Sequence, residues 1–275
     1  MLHNRPLGVF DSGLGGISVL HEIRRVLPAE DVLYYADSAY CPYGLRTPDE
    51  IRERSRLITG HLIERGAKAV VVACNTASAM AIGHLREAFP HTPIVGLEPA
   101  VKPAVALTRT ANVGVLATPR TVAGERLRWL IETHAGGVRV HSVAAPGLVE
   151  LVEAGVLSGP AVTAALQPLL DPMLEAGVDV VVLGCTHYPF LREAISAYLG
   201  AGVRVIDSGV AIANRTRFVL SGADLLADRQ APATLRFLTS AEASGISPVV
   251  DLLLGESALV RHESVENRAH DIAAT

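Results

Sequence analysis

Aromatic side chains are scarce, at 4% of 275 residues, although hydrophobic residues together reach 49%. The core therefore has to be assembled from Val, Leu, Ile and Ala, the profile of α/β proteins whose parallel strands are buried on both faces. Lysine is nearly missing, with Lys68 and Lys102 as its two representatives. The net charge is −4 and no basic cluster exists, which argues against nucleic acid as a partner. No apolar run approaches the ~20 residues of a membrane helix. The start, MLHNRPLGVFDSG, has neither the basic head nor the apolar stretch of a signal peptide. A cytoplasmic location with no membrane partner is expected. Three cysteines, Cys41, Cys74 and Cys185, are an odd number without a CxxC pair. That suits a reducing compartment better than a disulfide framework.

What the chain does contain is a regular alternation of short apolar runs and helix-like segments. Strands are predicted at Leu7–Asp11, Val32–Ala36, Ala69–Ala73, Ile94–Leu97, Val113–Ala117, Val138–Val143, Val180–Leu183 and Val203–Ile206. Helices are predicted between them, at about Ile17–Leu27, Thr47–Arg65, Thr76–Ala88, Thr121–Thr133, Gly147–Ala176 and onward from Phe190. Thr47-Pro48-Asp49-Glu50 reads as a capping box with Pro at the first helical position. After Ser208 the sequence predicts a helix to about Ala227, a strand at Leu235–Leu238 and a helix near Pro248–Leu254. The last dozen residues read as frayed. Repeated βα units imply parallel sheets with helices on both faces.

An internal repeat sharpens this. Glu64–Cys74 aligns without a gap on Glu175–Cys185, and Gly8–Ser12 aligns on Gly114–Thr118. The order is kept with one small insertion, the sign of two like units. The expected fold is α/β, with two similar doubly wound parallel-sheet domains related by internal pseudo-symmetry and an active site in the cleft between them. Ligands of open parallel sheets bind beyond the carboxyl ends of the strands. Cys74 and Cys185 both stand just past such an end, so facing domains would each offer a thiol to one cleft.

Several chemistries are open to two such thiols. Zinc wants four ligands with close local pairs, and Cys74 has no ligand beside it, so no metal is expected. A cysteine hydrolase would leave the second thiol unused. Proton transfer on both faces of one carbon uses both, one as base and the other as acid, and a tuned thiol suits such work. Asp11, after the first strand, and His187, two past Cys185, are candidate proton partners. Asn75, Thr76, Thr186 and His187 can cap helices or orient a ligand. A pyridoxal cofactor demands a site lysine. Lys68 lies at the wrong end of its strand and Lys102 stands apart, so no cofactor is expected. The loop Asp11-Ser12-Gly13-Leu14-Gly15-Gly16 leaves a dinucleotide module open as an alternative, with Asp37 as the ribose-binding acid. The fingerprint is incomplete, because Ser18 stands at its third glycine position. The same amides could instead hold a substrate carboxylate. The loop Cys41-Pro42-Tyr43-Gly44 follows a strand end and could turn its amides to the cleft.

Phe10-Asp11-Ser12-Gly13-Leu14-Gly15-Gly16, Cys41-Pro42-Tyr43-Gly44, Ala73-Cys74-Asn75-Thr76-Ala77-Ser78 and Leu183-Gly184-Cys185-Thr186-His187-Tyr188-Pro189 closely resemble the glutamate racemase family, in order, from about residue 6 to residue 220. The resemblance implies a cofactor-independent isomerase that interconverts L- and D-glutamate and supplies D-glutamate for peptidoglycan. Cys74 would take the α-proton from the D-isomer, assisted by Asp11, and Cys185 from the L-isomer, assisted by His187. Leu151-Val152-Glu153 matches a segment whose glutamate also assists, with Glu150 as a second candidate three residues earlier. Asp11, Ser12, Tyr43, Gly44, Asn75, Thr76, Thr186 and His187 would hold the substrate. The chain would return after about Ser208 to complete the first domain, giving 1–97 plus 208–275 and 98–207. A homodimer is implied. An aspartate racemase of the same superfamily is the alternative. A decarboxylase of that superfamily keeps only one of the cysteines. The family often has Cys-Pro before the glutamate segment where this chain has Ala145-Pro146, and residues 262–275 match nothing in it.

Overall fold

The computed structural model describes residues 2–229 and 232–266. The strands are β1 (Leu7–Asp11), β2 (Val32–Ala36), β3 (Ala69–Val72), β4 (Ile94–Gly96), β5 (Asn112–Ala117), β6 (Arg139–Ala144), β7 (Val180–Leu183), β8 (Arg204–Ile206), β9 (Leu235–Thr239) and β10 (Val260–His262). They form two sheets, ordered β10-β9-β2-β1-β3-β4 and β6-β5-β7-β8, with every pairing parallel. The all-apolar runs Val70-Val71-Val72 and Val180–Leu183 are buried throughout because helices cover both faces.

The repeat is visible in the pairing. β2-β1-β3-β4 and β6-β5-β7-β8 have the same order, and the registers coincide. Gly8 lies opposite Val70, and its repeat mate Gly114 lies opposite Val181. Beyond the last pair, Ala73 N–H donates to Phe10 O, and Gly184 N–H donates to Leu116 O in the same manner. Cys74 and Cys185 are the next residues of each copy. The first sheet draws β9 and β10 from the end of the chain, so the backbone crosses between the sheets twice, after β4 and after β8. Ser208 Oγ donates to Glu98 O across 2.5 Å and ties the two crossings together.

Thr47 accepts from Glu50 N, and Glu50 returns a bond to Thr47 N, so the capping box forms as the sequence requires. One expected helix is broken. Thr118 caps a short helix, Pro119–Val122, and the extended Gly124 starts a second at Glu125–His134. Glycines with positive φ at 155 and 159, followed by Pro160, divide Leu148–Glu153 from Pro160–Glu175. A 3₁₀ turn, Tyr188–Leu191, precedes the helix Arg192–Leu199. The helix after Ser208 ends at Gly222, and the last helix starts earlier than expected, at Ala243. The terminal segment differs most. β10 pairs with β9, and Val265 is buried among Tyr35, Ile58 and Leu62 rather than frayed. Residues 267–275 lie outside the described residues. At the amino ends of the strands, Lys68 and Glu30 form a salt bridge with both side chains buried. Among the described residues no helix is long and apolar enough to cross a membrane.

Candidate active site

The site forms where the carboxyl ends of the two sheets meet. On the first sheet Asp11 ends β1 and is fully buried, accepting from Gly16 N at 2.8 Å. Ser12 Oγ lies 3.4 Å from Asp11 Oδ1 and 3.6 Å from Cys74 Sγ. Burial pushes the Asp11 carboxyl above its ordinary value, against the pull of His187, Cys74 and the Gly16 and Ser12 amides. Burial, then the charge of Asp11, hold the Cys74 thiol well above its ordinary value. Cys74 is therefore held as a thiol. It precedes the helix Asn75–Ala88. Asn75 is buried, and its Nδ2 has no hydrogen-bond partner among the described residues. An orphaned buried donor is costly unless a ligand uses it.

On the second sheet Cys185 Sγ lies 3.7 Å from Nδ1 of His187, and Nε2 of the same ring lies 2.6 Å from Oε1 of Glu153. Burial lowers the His187 pKa, but bonds to Cys185, Cys41 and Glu153 outweigh it and hold the group well above its ordinary value. Burial raises the Glu153 carboxyl, but His187, Leu14 N–H and Cys41 bring it net below the ordinary value. The pair is thus imidazolium and carboxylate. Nε2–H donates to Glu153, and Nδ1–H points at the Cys185 sulfur. Glu150 is exposed and lies outside this group of contacts.

The halves are in direct contact. Leu14 N–H donates to Glu153 Oε1 at 2.6 Å, and Ser18 Oγ donates to Thr186 O at 2.8 Å. Thr186 Oγ1 lies 3.5 Å from Asp11 Oδ2, which joins the partners of the two thiols into one buried cluster. Gly15 N is 3.2 Å from His187 Nε2, a close contact between the glycine loop and the ring. The glycine loop has to be bare here. A Cβ on Gly13 would lie 2.2 Å from Glu153 Oε1, and one on Gly15 would lie 2.3 Å from His187 Nδ1.

The expected groups come together, with two corrections. The loop amides do not wait for a substrate carboxylate, because those of Leu14 and Gly16 are already bonded to Glu153 and Asp11. Asp37 is unavailable to a ribose, since Arg54 and Tyr43 occupy both its oxygens. Tyr43 and Gly44 are buried at the junction, where a Cβ on Gly44 would meet Thr118 at 2.9 Å. Two features went unread. Thr76, Thr118 and Thr121 form a buried hydroxyl cluster at 3.0–3.4 Å. Thr118 is the repeat mate of Ser12, so the alignment carried that signal. Cys41 lies against Glu153 and His187, and their ligand atoms fall within 4.8 Å of one another. The Leu14 amide already aims its positive hydrogen at that same Glu153 oxygen, an arrangement suited to a carboxylate and not to a metal cation. Burial pushes the Cys41 thiol up to about 12. All three cysteines are free thiols.

Residues 7–216 match the pattern of the Asp/Glu/Hydantoin racemase family. The chain is 49% identical, over 93% of its own length and 97% of the relative's, to a glutamate racemase of Ectopseudomonas mendocina. Its structure resembles that of Escherichia coli glutamate racemase in complex with L-glutamate and the activator UDP-MurNAc-ala, with a TM-score of 0.84 at 36% identity, covering 96% of this chain and 100% of the other. The glutamate racemase of Francisella tularensis subsp. tularensis SCHU S4, in complex with D-glutamate, superposes with a TM-score of 0.84 at 29% identity, covering 96% and 99%.

Proposed function

The chain belongs to the Asp/Glu/hydantoin racemase family, and on that premise we propose that it interconverts L- and D-glutamate by proton transfer between two thiols, without a cofactor. The observation that carries this reading is the symmetry of the site. Equivalent strand ends of two like sheets each present a cysteine, and each cysteine has its own proton partner. In the L-to-D direction Cys185, as thiolate, takes the α-proton. The C–H bond breaks, an S–H bond forms, and the electron pair spreads into the substrate carboxylate. Cys74 then gives its proton to the opposite face of the carbon. The high pKa of Cys74 suits this resting donor role. In reverse, Asp11 and Ser12 assist Cys74 as base, and His187, held by Glu153, supplies the proton for Cys185 to deliver. Asn75, Thr76, Thr186 and the loop Tyr43-Gly44 hold the substrate. The unpartnered Nδ2 of Asn75 supports that assignment.

The two units of the enzyme are residues 1–97 plus 208–275 and residues 98–207. It acts in the cytoplasm as a homodimer and supplies D-glutamate for peptidoglycan. The test is isotope exchange. Purified protein without added cofactor exchanges the α-hydrogen of glutamate with solvent deuterium. Exchange with aspartate alone would replace the substrate, and exchange with neither would end the proposal. Selectivity deserves the second arm because one methylene is worth only about 1–3 kcal/mol in a pocket.

A further inference from the structure

The loop Cys41–Gly44 is one of the parts of the first sheet's architecture that reach over to the second. Cys41 meets Glu153 and His187, and Gly44 packs on Thr118. Its anchor is Tyr43, whose hydroxyl donates to Asp37 Oδ2 at 2.6 Å. Asp37 is fully buried just past β2 and is gripped from the other side by Arg54. Nε lies 3.1 Å from Oδ2, and the terminal Nη2 lies 2.7 Å from Oδ1. This two-pronged bond fixes the carboxylate in plane as well as in charge. The guanidinium also lies 3.9 Å over the Tyr40 ring, and its Nη1 donates to the carbonyl of Val265 at 2.7 Å. The terminal segment is itself pinned, by Tyr35 Oη donating to Glu263 O at 2.8 Å and by the burial of Val265. A continuous buried chain of contacts thus runs from Val265 through Arg54 and Asp37 to Tyr43.

We propose that Asp37 and Arg54 are positioning residues that set the placement of the loop Cys41–Gly44 over the cleft, and that the segment Glu263–Val265 completes their support. The inference rests on the proposed substrate role of Tyr43 and Gly44. None of these groups meets the reacting carbon. Their loss removes an interaction made equally with substrate and transition state, which raises KM and leaves kcat in place. A merely structural role would instead lower the active fraction and with it kcat, at constant KM.

The experiment measures kcat and KM for glutamate with Tyr43→Phe, which deletes one oxygen, Arg54→Lys, which keeps the charge and loses the fork, and Val265→Asp, which drives the tail off in the full chain. Tyr43→Phe and Arg54→Lys are expected to raise KM about tenfold, the size of one lost charge-assisted bond, with kcat within about twofold. Val265→Asp shifts KM the same way. The double variant Arg54→Lys/Val265→Asp is no worse than Arg54→Lys alone, because both act through one chain of contacts. Unchanged KM in folded Tyr43→Phe and Arg54→Lys overturns the proposal, as does a fall in kcat at constant KM. Wild-type exchange of glutamate, run alongside, separates this failure from failure of the racemase reading.

Discussion

Gly15→Ala is a single-methyl probe of how tightly the two halves are matched. The added Cβ would lie 2.3 Å from Nδ1 of His187 and 2.6 Å from Cγ and Cε1, where ordinary contact needs 3.4–4 Å. The ring must therefore retreat by about 1 Å or the halves must part by as much. It is held on one side by Glu153 Oε1 at 2.6 Å and directed on the other at Cys185 Sγ, 3.7 Å away. Both distances cannot survive the shift. Overpacking of this kind costs about 1–3 kcal/mol, a fall of a few degrees in melting temperature for a chain of this size. Misplacing a catalytic group by about 1 Å costs on the order of 100-fold in rate. Racemisation followed by circular dichroism in both directions, with thermal melts in parallel, reads the two effects separately. Gly83→Ala is the control. Gly83 is an exposed helical glycine whose Cβ would meet nothing within 4 Å, so it should gain about 1 kcal/mol of stability with no change in rate. Gly15→Ala within twofold of the wild-type rate would refute the argued contact between loop and ring.

Cys74→Ser and Cys185→Ser should each lower turnover of both enantiomers by at least about 100-fold, while circular dichroism shows the fold retained; a variant fully active in both directions would remove that thiol from the mechanism. The pH dependence of stability should differ between wild type and Glu153→Gln in a defined window. The contribution of Glu153, whose pKa is depressed from 4.5, is present above that value and lost as pH falls through the folded pKa. That of His187, raised from 6.5, is complete below that value and lost as pH rises through its higher folded pKa. The difference in urea midpoint should therefore be largest between about pH 4.5 and 6.5, and a pH-independent difference would contradict the ion-pair assignment. Lys68→Ala strands the Glu30 carboxylate in the interior at the far end of the sheet and should cost about 3–5 kcal/mol, read by urea denaturation, with KM unchanged. Cys41, with its thiol pushed up to about 12, should react with iodoacetamide at pH 8 far more slowly than free cysteine, as peptide mass mapping would show.

The strand ends were legible because all-apolar Val runs flanked by glycine have one comfortable home, a parallel sheet covered on both faces. The repeat was legible for the same reason, and it located both thiols; Thr118, the mate of Ser12, stood in the same alignment and went unread. Contacts that depend on three-dimensional closure were not legible. That the amide of Leu14 serves Glu153 follows from how the second half docks, and local spacing carries no trace of it. The helix break at Gly124 was missed because apolar spacing persists through it. The terminal segment has polar composition, yet Val265 is buried and its carbonyl bonds a buried arginine. One apolar residue and one backbone oxygen leave too little pattern for a sequence reading to find.

Both crossings of the chain leave from β4 and β8, the outermost strands of their sheets on the same side, and Ser208 stitches them to each other at Glu98. The molecule is bound like a book, with its spine along that side. Pages hinged so can swing but hardly slide, and the gap they open widens with distance from the binding. β2 lies farther from the spine than either thiol-bearing strand, so the loop that follows it travels the longest arc.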